Sequence, residues 1–258
     1  MAIFYNIQNF KLKNLKTHKA AILIEVIVSY IYKSIFKMYE SLLRLPYFQG
    51  MEKDDITAIL DKVTFEFIKY DNGDRIFGPG EKCDRFAILT QGEIQCKAIS
   101  PDHTICITEN ITAPYAIEPY SLFGYRTSYR REYTAKEKCT ILVIDKQYLF
   151  SEFAKHNIFT INLLNLISHK AEKLQEGIWL HTPQSIEGRI AHLIAMRCES
   201  HKGTTSVTVK MERIAAILCE TRLNISKALN AMQNNGYITL HRGEITVHSM
   251  EKLIELIK

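Results

Sequence analysis

The spacing of apolar residues changes along this chain, and the change separates a strand-rich region from a helical one. From Thr64 to Lys69 neighbouring side chains alternate in character, and short apolar runs bounded by Gly, Asn and Asp continue as far as Ile144. Such runs predict antiparallel strands joined by tight turns. From Leu164 onward apolar residues recur at spacings of three and four, which predicts helices. The expected fold class is therefore α+β, with a β-roll (jelly-roll) followed by helices.

Two segments precede the strands. Residues 1–37 contain a basic run and then the apolar stretch AAILIEVIVSYIY, which Glu25 interrupts. At about thirteen residues this stretch is too short for a membrane span of about 20 residues, and no small-residue cleavage pattern follows it. A docked amphipathic helix, a translated upstream extension and a membrane contact remain open for it. From Glu40 to Asp61 the pattern predicts a short helix, a turn at Pro46 and a second short helix starting near Glu52.

The helical region opens with one long amphipathic helix. Its apolar residues form a heptad seam of about two and a half repeats, consisting of Leu164, Ile167, Ala171, Leu174 and Ile178. The seam fits a dimer interface, and it equally fits a helix that packs on its own domain. The run from His181 to Gln184 contains Pro183 and should end this helix, after which Ser185 can cap the next one.

The stretch from Lys210 to Leu240 predicts two short helices separated by a sharp turn. Thr221 can cap the second helix, whose inward stripe is formed by Ile225, Ala228, Leu229 and Met232. Asn234-Asn235-Gly236 supplies a stop, and YITLHRGEITVHS predicts a hairpin around Arg242-Gly243. The predicted element is a winged helix-turn-helix.

The second of these helices presents mostly polar and basic residues outward. The set consists of Thr221, Arg222, Leu223, Asn224, Ser226 and Lys227. Side chains of this kind at the start of a helix suit base edges and phosphates. The alternative is a helical hairpin that contacts only protein, but such a hairpin would show more exposed aromatic or aliphatic residues.

These residues resemble the DNA-binding domain of the Crp/Fnr family of bacterial transcription regulators. The family's recognition helix has the form S/T-R-x-x-V-x-R-x-L, which here reads Thr221, Arg222, Ile225, Lys227 and Leu229. Two departures are present. Cys219 stands in the turn where many such motifs place Gly, and Leu223 stands where the best-known members have Glu, which changes the DNA sequence that could be read.

The strand-rich region resembles the cyclic-nucleotide-binding domain of the same family. The matching residues are Tyr70-x-x-Gly73-x-x-Ile76-x-x-x-Gly80, followed by Phe86-Ala87-Ile88-Leu89-x-x-Gly92-Glu93-Ile94. MYESLL at 38–43 looks like a natural start for the family. The resemblance implies four parts: an extension at 1–37, a sensor β-roll at 38–155, a dimerisation helix and hinge at 156–183, and a winged helix-turn-helix at 184–258. It also implies a cytoplasmic homodimer that binds a two-fold symmetric site on double-stranded DNA and contacts RNA polymerase.

The resemblance places the effector site in the segment 116–135. Nucleotide-binding members have Gly-Glu in a short phosphate-binding helix and, about ten residues later, an Arg that pairs with the cyclic phosphate. Here Glu118-Pro119 and Tyr129 stand at those places, so binding of cyclic AMP in the family's manner is not expected. A different ligand could occupy a pocket formed by Glu118, Ser121, Tyr129, Arg130 and Arg131. These residues could instead form a solvated face of the β-roll.

Composition and motifs narrow the function further. A chain of 258 residues with 47% hydrophobic residues, 24% charged residues and a net charge of +5 is a folded globular protein, long enough for two domains. The six cysteines are scattered without a CxxC pair, so reduced thiols are expected and no metal or other cofactor is predicted. Haem sensing stays open, since one axial His or Cys can begin such a site. No Walker, GxSxG or HExxH motif indicates an enzyme. The sequence thus predicts a DNA-binding regulator of unknown effector, the alternative being a ligand-binding sensor or protein-interaction module without DNA-binding activity.

Overall fold

The computed structural model describes residues 40, 42–179 and 183–257. The interpretations of residues 1–37, and the part of the predicted hinge at 180–182, lie outside the described residues. The described chain begins with a short helical stretch ending at 43, a 3-10 turn at Pro46–Phe48 and helix α1 (Lys53–Leu60). This order confirms the sequence prediction for Glu40 to Asp61.

Eight short strands then form the β-roll. They are β1 (Glu66–Tyr70), β2 (Arg75–Phe77), β3 (Arg85–Gln91), β4 (Glu93–Ile99), β5 (Ile105–Thr112), β6 (Tyr115–Ile117), β7 (Glu132–Ala135) and β8 (Cys139–Asp145). One antiparallel sheet has the order β1-β8-β3-β6, and β5, β4, β7 and β2 are neighbours in a second sheet. Gly92 makes the turn between β3 and β4 at φ +89°, where a Cβ would lie 2.7 Å from the carbonyl oxygen of Lys138. The predicted antiparallel β-roll is confirmed.

Helices α2 (Lys146–Ser151) and α3 (Asn157–Trp179) follow the β-roll. Phe159 of α3 is 1% exposed and packs against the core of the β-roll, with Leu163 and Leu166 beside it. Leu164 and Ile167 of the predicted seam are on another side of α3 and remain 58% and 37% exposed. The seam therefore does not pack on the chain's own β-roll at these positions.

The C-terminal domain has its own core. It contains α4 (Ile186–Ala195), β9 (Thr205–Val209), α5 (Met211–Leu218), α6 (Arg222–Asn234), β10 (Ile238–His241), β11 (Glu244–Val247) and α7 (Met250–Glu255). The Ser185 hydroxyl caps α4 by accepting the N–H of Gly188 at 3.0 Å. Ile190, Ile225, Val247 and Leu253 are fully buried in this core, so the predicted winged helix-turn-helix is present.

One sheet crosses from the β-roll into the C-terminal domain, which the sequence analysis did not anticipate. Strand β9 pairs antiparallel with β5, from Ile105 opposite Val209 to Glu109 opposite Thr205. The complete strand order is β10-β11-β9-β5-β4-β7-β2. Because this pairing joins residues about a hundred positions apart, no local sequence pattern indicates it.

Candidate functional site

The turn between α5 and α6 has the geometry expected of a helix-turn-helix. Cys219 ends α5 with φ +53°, and the N–H of Glu220 donates to the carbonyl of Ala215 at 2.9 Å. A left-handed non-glycine residue costs about 1–2 kcal/mol, so the fold tolerates strain here to keep the turn tight. The Thr221 hydroxyl then accepts the N–H of Asn224 at 3.1 Å and caps α6. The predicted Thr221 cap is confirmed, and Cys219 takes the left-handed conformation where many such motifs place Gly.

Helix α6 buries one face and presents another. The inward stripe is between 0% and 3% exposed and consists of Ile225, Ala228, Leu229 and Met232. On the outward side Arg222, Leu223 and Lys227 are exposed, whereas Asn224 and Ser226 are half-buried. The predicted set therefore lies together along the start of one helix, where exposed residues can enter a DNA groove.

Two of the outward residues already have partners in the protein. Arg222 Nε lies 3.2 Å from Glu212 Oε1, and both side chains are largely exposed; such a pair contributes at most about 1 kcal/mol. Asn224 Nδ2 donates to Glu220 Oε2 at 3.1 Å, which leaves the amide oxygen of Asn224 free to accept. Arg222 can thus leave its partner at little cost, while Asn224 is held in place.

Glu220 is a positioning residue that the sequence analysis missed. Arg189 of α4 forms an ion pair with Glu220 and also donates to the carbonyl of Leu218 at 3.2 Å. The hydrogen bond from Asn224, followed by that from Arg189, lowers the pKa of the Glu220 carboxyl. The Arg189–Glu220–Asn224 chain therefore connects α4 to the first turn of α6. The sequence gives no signal of this contact, because Arg189 and Glu220 are about thirty positions apart.

The wing is a two-residue hairpin next to α6. Arg242 and Gly243 form its tip, with His241 opposite Glu244 and φ +77° at Gly243, as predicted. Gln233 Oε1 of α6 accepts the N–H of Leu240 at 2.7 Å, so the wing and helix α6 are held together. Arg242 at the tip of the wing is exposed.

In the predicted effector segment, the Glu118 carboxylate occupies a buried anion site made by the chain itself. Glu118 is fully buried with φ +38°. Its oxygens accept the backbone N–H of Arg130 at 2.9 Å and of Arg131 at 3.0 Å, the Ser121 hydroxyl at 2.8 Å and the Tyr133 hydroxyl at 3.2 Å. An internal carboxylate thus uses the donors of the segment in which the resemblance places the phosphate of a ligand.

The other members of the predicted pocket point elsewhere. Tyr129 is 3% exposed and stacks on Phe77 with ring centroids 4.2 Å apart. The side chain of Arg130 is exposed. The guanidinium of Arg131 lies 3.3 Å from Glu109 of β5 and 3.2 Å from Glu199 of the C-terminal domain. The structure therefore brings together Glu118, Ser121 and two backbone amides, but not the two arginine side chains.

Glu109 and Arg131 form the centre of a buried ionic network between the two domains. Glu109 is 1% exposed and accepts the N–H groups of Glu199 and Ser200, both at 2.8 Å. Lys170 of α3 reaches Glu199 at 2.7 Å, and its ammonium lies 3.6 Å from the centroid of the Tyr120 ring. Burial raises the pKa of Glu109, while the amides of Glu199 and Ser200 and the charge of Arg131 oppose that change. The network therefore binds α3, the β-roll and the C-terminal domain to one another.

The described residues include no candidate metal site and no candidate membrane span. Among the described residues, no group of three His, Cys, Asp or Glu side chains could hold a metal ion. None of the helices in the described ranges is long and apolar enough to span a bilayer.

Comparison with known proteins assigns the two halves of the chain separately. Residues 67–156 match the family model of the cyclic nucleotide-binding domain, and residues 188–256 match that of the Crp-like helix-turn-helix domain. The two domains follow each other in the order that the resemblance implied. The chain belongs to the Crp/Fnr family. It is a Crp-like transcriptional regulator with a helix-turn-helix DNA-binding domain, and this family is not one of enzymes.

Relatives align along most of the chain at low identity. A CRP-like cAMP-activated global transcriptional regulator of Mycobacterium tuberculosis is 23% identical over 227 residues, which cover 84% of this chain and 98% of the relative. Among solved structures, the catabolite activator protein of Thermus thermophilus is 16% identical, with a TM-score of 0.47 and coverage of 83% and 98% of the two chains. DNR from Pseudomonas aeruginosa is 14% identical, with a TM-score of 0.40 and coverage of 86% and 97%.

Replacing Glu118 should destabilise the β-roll. In Glu118→Ala, two backbone N–H groups and two hydroxyls lose their buried acceptor, which should lower the free energy of unfolding by about 2–4 kcal/mol. The expected change in melting temperature is a decrease of roughly 5–15 °C, measured by calorimetry at equal protein concentrations. Glu137→Ala, in the exposed turn after β7, is the matched control. Equal melting temperatures for the two variants would contradict a structural role of the Glu118 carboxylate.

Proposed function

We propose that this regulator binds a two-fold symmetric operator as a cytoplasmic homodimer, with α6 of each chain in a major groove and with RNA polymerase as a further partner. The exposed set at the start of α6 carries the proposal. Arg222 has the planar fork that pairs with guanine O6 and N7, and Lys227 can contact a base or a phosphate. The wing residue Arg242 is exposed, and its charge suits a phosphate of the DNA backbone. Thr221, Leu223, Asn224 and Ser226 complete the proposed contact surface.

The proposed dimer interface is the exposed apolar face of α3. Leu164 and Ile167 are large, apolar and exposed, and Ile161, one turn earlier, is 56% exposed. Ala171 continues the seam and is exposed, while the side chains of Leu174 and Ile178 lie outside the described part. A contiguous apolar helix face in contact with water is characteristic of an interface, and the three-four spacing fits a second copy of the same helix.

We infer that the effector is not cyclic AMP, or that the protein has no effector. The Mycobacterium tuberculosis relative is described as cAMP-activated, but here the fully buried Glu118 carboxylate takes the amides of Arg130 and Arg131. A phosphate at this position would meet a fixed negative charge and would find its donors already used. The side chain of Arg131 is likewise engaged with Glu109 and Glu199.

The effector inference predicts the outcome of a calorimetric titration. Neither cyclic AMP nor cyclic GMP should show saturable sub-micromolar binding to the full chain, and neither should change its affinity for DNA. Tight binding at one site per chain would mean that Glu118 moves out of the anion site, and the inference would then fail.

The dimer proposal predicts that a charge in the seam dissociates the protein. Ile167→Glu would bury an unpaired carboxylate in the interface at a cost of at least about 3 kcal/mol, which raises the dimer dissociation constant about a hundredfold. Sedimentation velocity should then show monomers at concentrations where the wild type is dimeric. Asn165→Glu adds the same charge at an exposed polar position of α3 and should leave the dimer intact. A wild type that sediments as a monomer at micromolar concentration would refute the proposal.

The recognition-helix proposal predicts a loss of base preference in Arg222 variants. Arg222→Ala should weaken specific binding by about 1–3 kcal/mol and relax the preference at one base pair in each half-site. Arg222→Lys keeps the positive charge but loses the planar N–H donors of the guanidinium. The preference for this base pair should therefore relax, while the salt dependence of binding stays close to that of the wild type.

Selection from random duplex DNA, followed by affinity measurements over a range of salt, tests this prediction. Lys252→Ala removes one exposed positive charge from α7 and serves as the control that should keep the sequence preference. Half-sites should be centred roughly 10 bp apart. If no discrete sequence is selected, or if Arg222→Ala keeps the wild-type preference, the domain binds protein or ligand instead of reading DNA through α6.

A further inference from the structure

A cleft with a volume of about 640 Å³ lies where the β-roll meets the C-terminal domain. One wall comes from the β4–β5 hairpin and contains Ile99, Ile105 and Ile107, and the other contains Arg197, Arg213 and Ile217. The pairing of β5 with β9 brings these walls together. Pockets for small organic ligands have volumes of about 300–1,000 Å³, so the cleft has a suitable size.

Positive charge is in excess in this cleft. Arg131, Arg197 and Arg213 all line it. Arg131 is neutralised by Glu109 and Glu199, and Arg213 Nη2 pairs with Asp102 at 2.7 Å. Arg197 forms no ion pair within the described ranges and donates only to the carbonyl of Leu193, at 2.8 Å. One guanidinium charge beside the cleft is therefore uncompensated.

Two further observations favour an anion at this position. Arg213 Nε is buried without a hydrogen-bond partner among the described residues. Burial, and then the neighbouring charge of Arg213, lower the pKa of Arg197. Both guanidinium groups would gain from a carboxylate or phosphate placed between them, because a charge-assisted hydrogen bond to Arg is stronger than a neutral one.

The opposite wall contains three isoleucines beside Ser100 and Asp102. Ile105 and Ile107 are nearly buried, and Ile99 at the rim is 49% exposed. With Ile217 on the other side, these residues can cover a hydrocarbon or aromatic group, which contributes about 25 cal/mol for each Å² removed from water. The ligand chemistry that matches both walls is an anionic head joined to an apolar body.

We propose that the interdomain cleft is a binding site for a small amphipathic organic anion, held by Arg197 and Arg213 and covered by the isoleucines of the β4–β5 hairpin. Of the residues predicted for the effector pocket, only Arg131 lines this cleft. The ligand contacts both domains, so its binding stabilises the β5–β9 pairing by mass action. This proposal concerns binding alone and does not depend on the DNA-binding or dimer proposals.

Calorimetric titration of the full chain with octanoate and with phenyl phosphate tests the site, since the two probes carry the two candidate head groups. At least one should bind saturably at one site per chain below about 1 mM, which corresponds to roughly −4 kcal/mol. The uncharged probe 1-octanol should bind at least about tenfold more weakly than octanoate if a charge-assisted contact is made. No saturable binding of either anion up to about 5 mM, or equal binding of 1-octanol and octanoate, would overturn the proposal.

Variants locate the site on the chain. Arg197→Gln and Arg213→Gln should each weaken binding of the anion about tenfold, whereas Arg85→Gln, at the start of β3 and not among the residues that line the cleft, should leave it unchanged. Ile99 is largely exposed and tolerates a charge, so Ile99→Glu should weaken binding and Ile99→Lys should preserve or strengthen it. An affinity that is the same in all five variants would place the bound anion elsewhere and refute the assignment, even if one arginine variant failed to fold.

Discussion

The buried contacts of Glu109 and Arg131, both in the β-roll, with Glu199 and Ser200 of the C-terminal domain determine how the two domains of this regulator are arranged. Glu109 lies in β5 opposite Thr205 of β9, where the shared sheet ends, and its carboxylate also accepts the amides of Glu199 and Ser200. A buried ion pair adds little net stability, but loss of one partner typically costs about 3–5 kcal/mol. The network therefore acts mainly as a constraint, because other relative positions of the domains would leave a charge buried without a partner.

Arg131 also shows how the region that resembles a nucleotide-binding site is used in this protein. The backbone amides of Arg130 and Arg131 point to Glu118, and the guanidinium of Arg131 points away to the C-terminal domain. A carboxylate supplied by the chain therefore occupies the donors, and the arginine serves interdomain contact. A site organised in this way needs no ligand to satisfy its charges.

Sequence reasoning succeeded where the determinants are local. The stripe of α6 and the Thr221 cap depend on residues within one or two helical turns, and the sequence predicts both of them. The pairing of β5 with β9 and the Arg189–Glu220 contact depend on residues 31 to 104 positions apart, and no periodicity in the sequence indicates such contacts. The sequence shows that Glu118 replaces the Gly of nucleotide-binding members. It does not show that the Glu118 carboxylate is a buried acceptor, because that role requires the fold to place the N–H of Arg130 beside Glu118.

The shared sheet gives the proposed cleft a thermodynamic role. Its two walls face each other only while β5 and β9 are paired, so a ligand between them would lose most of its contacts if the domains separated. A ligand can shift a conformational equilibrium only by its difference in affinity for the two states, and a ligand that spans two domains has a large difference. If DNA binding requires a different arrangement of the two domains, a ligand in the cleft would change the affinity for DNA. DNA would then change the affinity for that ligand by the same coupling free energy. The contacts of Glu109 and Arg131 with Glu199 hold the β-roll and the C-terminal domain together beside this cleft, so the same boundary would connect the ligand with DNA.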